Sequence, residues 1–179
     1  MKTLSLNILL LLLLLLLTIS LRSVRCDDDL IDQICKKTPF YDLCISTLKS
    51  NTNTENTDTQ GLAGVMANIL LSNATDTLSY IRAQINEASD PQMERALAYC
   101  AELYIPVVKY NLPQAIDALS KGRFEFASDG ISDAAKQADA CEKNFSGPMK
   151  LEPLSERNKL LHSLSDVAVA IVKLLLKGL

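Results

Sequence analysis

The sequence predicts an all-α protein, an up-down-up-down four-helix bundle preceded by a disulfide-linked N-terminal helical hairpin. Apolar residues recur at three- and four-residue spacing through four long stretches, which is the period of a helix with one buried face. The connections between these stretches are mostly short, as an antiparallel bundle requires. Trp is absent and aromatic residues make up only 5% of the chain, so the core must be aliphatic, which suits helices.

Residues 1–26 stand apart from that fold. Lys2 gives a short basic start, Ile8 to Leu17 is an unbroken apolar run, and Val24-Arg25-Cys26 resembles a signal-peptidase site. Cleavage after Cys26 is expected, leaving 27–179 as one domain. The apolar run falls short of the roughly 20 residues that span a bilayer, so no membrane attachment is expected after cleavage. The leader holds three basic residues and no acidic one, so its loss takes the formal charge from −3 to −6. Nucleic acid is a poor partner for so acidic a chain.

Cleavage would also remove one of the five cysteines. Cys35, Cys44, Cys100 and Cys141 then form an even set in an oxidising route and read as two disulfides. Cys100 lies 22 residues before Gly122 and Cys141 lies 19 after it, so two antiparallel helices joined at that glycine bring them nearly level. Cys35 and Cys44 face each other across a turn. The expected pairing is 35 with 44 and 100 with 141. Zinc is the weaker alternative, because no Cys-x-x-Cys occurs and His162 is the single histidine.

In order, 27–50 should form the hairpin. Leu30, Ile31 and Ile34 follow three acidic residues at helical spacing, and Thr38-Pro39 reads as an N-cap and first position ahead of Phe40, Leu43, Cys44, Ile45 and Leu48. Residues 51–59 are a polar loop, and the bundle occupies 60–179. Its first helix carries Leu62, Met66, Ile69, Leu70, Ala74, Leu78, Ile81, Ile85 and Ala88. Asp90-Pro91 opens the second, whose interior Pro106 and Pro113 predict a kink or short break between Tyr104 and Asn111. The third begins near Phe124, after the turn Lys121-Gly122-Arg123. The fourth runs from about Ser155 to Lys177. Two glycosylation sequons start at Asn73 and Asn144; Asn73 shares a face with Leu62, Met66 and Ile69, whereas Asn144 lies where a helix runs out.

Reactive chemistry is sparse. There is no Gly-rich phosphate loop, no Gly-x-Ser-x-Gly elbow and no pair of histidines, so no catalytic residue, cofactor or metal is expected. Glu125, Asp129 and Asp133 share a helical face, which reads as a solvated edge backed by Lys136. His162 reads as a partly buried structural residue. A rigid, disulfide-pinned helical domain of this kind is better suited to binding than to catalysis.

Several segments resemble the plant invertase and pectin methylesterase inhibitor family. They are Cys35-Lys36-Lys37-Thr38-Pro39 with Tyr41 and Cys44, Leu112-Pro113-Gln114-Ala115-Ile116-Asp117-Ala118-Leu119, Ala127-Ser128-Asp129-Gly130, Cys141-Glu142, Leu164-Ser165-Asp166-Val167 and Ala170-Ile171-Val172. The resemblance spans Leu30 to Leu175 and implies the same hairpin and bundle. It also implies a secreted inhibitor whose partner is a plant cell-wall or vacuolar invertase or a pectin methylesterase, with the apoplast as the default location, the vacuole as the alternative, and a monomeric state.

The resemblance is nearer to the invertase branch. There it implies a Pro-Lys-Phe motif at the start of the third bundle helix, entering a glycosidase cleft where two carboxylates work. Here the aligned residues are Phe124-Glu125-Phe126, so Arg123, Phe124, Glu125 and Phe126 are the expected target contacts. Glu125 would be repelled where lysine is attracted. Either Arg123 supplies the cation instead, or Glu125 binds protonated in an acidic wall.

Overall fold

The computed structural model describes residues 29–51, 54, 57–145 and 152–178. The leader 1–26 and parts of the polar loop and of the Asn144 sequon lie outside them. A first helix, α1, covers 29–35. It is followed by α2 (Tyr41–Lys49), α3 (Thr59–Glu87), α4 (Pro91–Pro106), a π-helical turn (Val107–Asn111), α5 (Leu112–Ser120), α6 (Phe124–Asn144) and α7 (Glu152–Leu176). No helix among the described residues is long and apolar enough to cross a membrane.

Helix α3 packs on α4 and α5, these pack on α6, α6 packs on α7, and α7 returns to α3. Each helix therefore neighbours the next in the chain, and the ring closes as an up-down-up-down bundle. Its core alternates large side chains (Met66, Leu70, Leu97, Leu112, Ile131, Leu161) with alanines (Ala67, Ala115, Ala134, Ala138, Ala168), all buried. The alanines let the helix axes approach closely while the larger residues fill the space between them.

The two disulfides join Cys35 to Cys44 and Cys100 to Cys141, with Cα separations of 5.5 and 4.9 Å. All four half-cystines are fully buried. The level argument from Gly122 thus leads to the pairing found. One detail of the hairpin differs from expectation. Thr38 does not open α2; its hydroxyl donates to the Cys35 carbonyl at 2.8 Å and so closes α1, while α2 starts only at Tyr41 with no side-chain cap. Tyr41 reaches back to Asp32 at 2.7 Å, and Lys36 pairs with the same carboxylate at 2.6 Å.

Helix starts elsewhere follow the chemistry of their caps. Asp58 accepts from the Gly61 amide at 2.8 Å, and Asp90 accepts from Gln92 at 2.9 Å with Pro91 in the first turn. The prolines at 106 and 113 do not break the second bundle helix. They bracket a π turn, in which the Leu112 amide donates to the Val107 carbonyl five residues back. Val107 and Leu112 are both fully buried. A regular α-helix would set residues five apart about 140° from each other, and the wider turn returns both to the core.

Gly130 on α6 is where this turn meets its neighbour. A Cβ there would lie 3.0 Å from the Asn111 carbonyl oxygen and 3.2 Å from the Ala115 Cβ. Mid-helix Gly→Ala normally gains about 1 kcal/mol. Gly130→Ala is expected to lack that gain and Gly130→Val to destabilise outright, as chemical denaturation would register; a full 1 kcal/mol gain for alanine would refute the close approach.

Candidate functional site

The sequence-predicted contacts lie together at one end of the bundle, on the turn between α5 and α6. Gly122 adopts φ +70°, a conformation that side-chain-bearing residues rarely accept. Its amide donates to the Leu119 carbonyl and the Arg123 amide to the Ala118 carbonyl at 2.9 Å, the paired bonds of a Schellman motif. The helix end is thereby closed by its own backbone, and the Gln60 side chain on α3 also donates to the Leu119 carbonyl at 2.8 Å.

Arg123 is the residue that precedes α6. Its guanidinium bonds Asp117 at 2.9 Å and stands 5.7 Å from the centre of the Phe126 ring, within cation–π range. Lys121 shares the same carboxylate at 2.7 Å. The Lys121 hydrogen bond, followed by the charges of Lys121 and Arg123, holds the Asp117 carboxyl below its ordinary value. A depressed carboxyl contributes its pairing above its unfolded value and loses it only as pH falls through the depressed one. The clamp on Arg123 therefore persists into mildly acidic solution.

The other three residues divide by role. Phe124 is half-buried and packs against the core, anchoring the start of α6. Glu125 is exposed in the first turn, where its charge suits the positive end of the helix. Phe126 is 51% exposed, and with Leu176 at 47% it adds apolar surface to a tip otherwise lined by charges. Gly122 to Phe126 and Leu176 line a groove of about 380 Å³.

Helical spacing makes the Asp117–Lys121 pair legible from the sequence. The Asp117–Arg123 pair is not, because its spacing of six spans the Gly122 turn.

At the opposite end the disulfide Cys100–Cys141 is flanked by a buried polar network. The Tyr104 hydroxyl donates to Asn158 at 2.7 Å, Asn158 donates to Glu142 at 2.9 Å, and Ser155 donates to the same carboxylate at 2.7 Å. These bonds tie α4, α6 and α7 together. Burial foremost, then the nearby Glu142 charge, pushes the Tyr104 phenol well above its ordinary value of 10.0.

Tyr104→Phe would leave Asn158 without its donor, and we expect a loss of about 1–3 kcal/mol. Because the unfolded phenol ionises near 10 while the folded one keeps its proton, stability should hold below pH 10 and fall above it. The phenylalanine variant should lose that alkaline limb in thermal unfolding.

His162 bridges α7 to α6. One ring nitrogen lies 2.8 Å from Asp139 on α6 and the other 3.4 Å from Asp166. Lys136 pairs with Asp133 at 2.9 Å, in keeping with a solvated acidic edge. No cluster of three potential metal ligands occurs among the described residues. Of the sequon asparagines, Asn144 donates to the Ala96 carbonyl at 3.2 Å, and Asn73 is half-buried with its Oδ1 buried and unbonded.

Comparison with known proteins adds to this geometry. Residues 29–171 match the family model described as plant invertase/pectin methylesterase inhibitor. A cell wall / vacuolar inhibitor of fructosidase from Arabidopsis thaliana is 34% identical over 81% of this chain and 68% of its own. A pectinesterase inhibitor from Actinidia deliciosa is 31% identical over 86% and 83%. The crystal structure of a mutant pectin methylesterase inhibitor from Arabidopsis superposes with a TM-score of 0.71 at 24% identity, covering 80% of this chain and 95% of that one. At that identity the likeness speaks for the fold.

Proposed function

The chain belongs to the plant invertase and pectin methylesterase inhibitor family, and from that premise we propose that it is a secreted inhibitor that closes the active-site cleft of a plant acid invertase. Its relatives are named as inhibitors of enzymes, so inhibition rather than catalysis is the family's activity. The observation that carries the choice of target is the rigid tip, where exposed Arg123 and Phe126 stack at the end of a backbone-closed turn. A glycosidase cleft holds a carboxylate pair. Phe126 would fill its apolar wall, and Arg123 would face its charge in place of the lysine that Glu125 displaces. Preformed geometry spares the ordering cost of the loop on binding.

Secretion to the apoplast follows from the leader and agrees with the cell-wall and vacuolar names of the relatives. We take the inhibitor to act as a monomer, in a one-to-one complex. Glu125 favours a second reading, a pectin methylesterase inhibitor, because such a target would need no inserted cation. Activity assays of acid invertase and pectin methylesterase with rising amounts of the mature protein separate the two. Loss of invertase activity alone supports the first, and loss of pectin methylesterase activity alone replaces it with the second.

A further inference from the structure

The tip has no net charge of its own, since Lys121 and Arg123 are offset by Asp117 and Glu125. An acidic cleft calls for more positive charge than this. We propose that Lys109 and Tyr110, carried on the π turn, form a second contact with the acidic rim of the invertase cleft. The proposal rests on the invertase reading given above and assigns residues that the tip motif does not include.

Lys109 is exposed and forms no ion pair with any described residue. Tyr110 is 57% exposed, more than any other large apolar side chain among the described residues. The π turn explains their display. By returning both Val107 and Leu112 to the core, it leaves Lys109 and Tyr110, in the middle of the turn, on the outer side.

The turn is also placed relative to the tip. Asn111 abuts Gly130, and Phe126 lies four residues before Gly130 on α6, so the turn packs against α6 about one helical turn, roughly 6 Å, from the level of Phe126. An exposed tyrosine beside an exposed cation, held on a helical turn packed against α6, fits a protein surface rich in carboxylates. Aromatic residues are enriched among those that dominate protein interfaces, and rim cations steer an acidic partner in.

The test uses the mature protein and acid invertase. Lys109→Glu and Tyr110→Ala should each raise the inhibition constant at least tenfold, with Lys109→Glu also flattening its dependence on salt. Both residues are exposed, so the thermal midpoints should match the parent and exclude misfolding as the cause. If the parent inhibits and both variants inhibit equally well, the second contact is overturned while the invertase reading stands. If the parent leaves invertase fully active, both are overturned.

Discussion

Replacing Cys100 and Cys141 together by serine is expected to lower the stability of the bundle by about 4 kcal/mol, the loop-closure entropy expected for two cysteines 41 residues apart. Both positions are fully buried and stand beside the Tyr104–Asn158–Glu142 network, so the loss should be felt across α4, α6 and α7 together. Urea denaturation of the parent and the double variant measures it. A difference below about 1 kcal/mol would mean that packing alone sets the level of α4 against α6. The Cys35–Cys44 bond closes only a nine-residue separation, so its removal should affect the hairpin more than the bundle.

The largest functional effect is expected at the tip. On the proposed cleft-insertion reading, Arg123→Ala should abolish invertase inhibition, because it would remove the charge set against the cleft carboxylates and leave them unpaired, at about 2–5 kcal/mol. On the same reading, Glu125→Lys should strengthen inhibition by replacing a charge that the cleft would repel with one that it would attract. The lysine would lose the favourable helix-end position of Glu125, about 0.3–1 kcal/mol of stability, which the bundle can bear. Inhibition constants for the two variants read both effects. No change from either would end the cleft-insertion model for this chain.

Much of the bundle was legible in the sequence because its signals are local and repetitive. The Leu62–Met66–Leu70 stripe, the Asp90-Pro91 start and the Lys121-Gly122 stop each act within a few residues, and each appears where expected. The cysteine pairing was legible because helix rise is constant, so chain distance from Gly122 converts directly to height.

What local signals leave open is how one element meets the next. Two prolines predict a disturbance between Tyr104 and Asn111, but only packing decides between a break and a π turn. Here the core accepts Val107 and Leu112 together, and the helix widens instead of breaking. Thr38 likewise had two helices within reach, and the Cys35 carbonyl won its hydroxyl.

The tip was legible as a set of residues and not as an arrangement. Arg123 to Phe126 could be named from a turn signal and a family likeness. That Asp117 holds Arg123, and that Arg123 stands over Phe126, depends on the path of the chain through Gly122. This arrangement bears on mechanism, since the carboxylate and the ring both favour one direction for the guanidinium.

The most direct test is a titration of acid invertase with the purified mature protein at mildly acidic pH, following sucrose hydrolysis. We expect activity to fall in proportion to added protein and to vanish near one equivalent, with Arg123→Ala losing the effect. Full invertase activity in the presence of excess parent protein would contradict the proposed function.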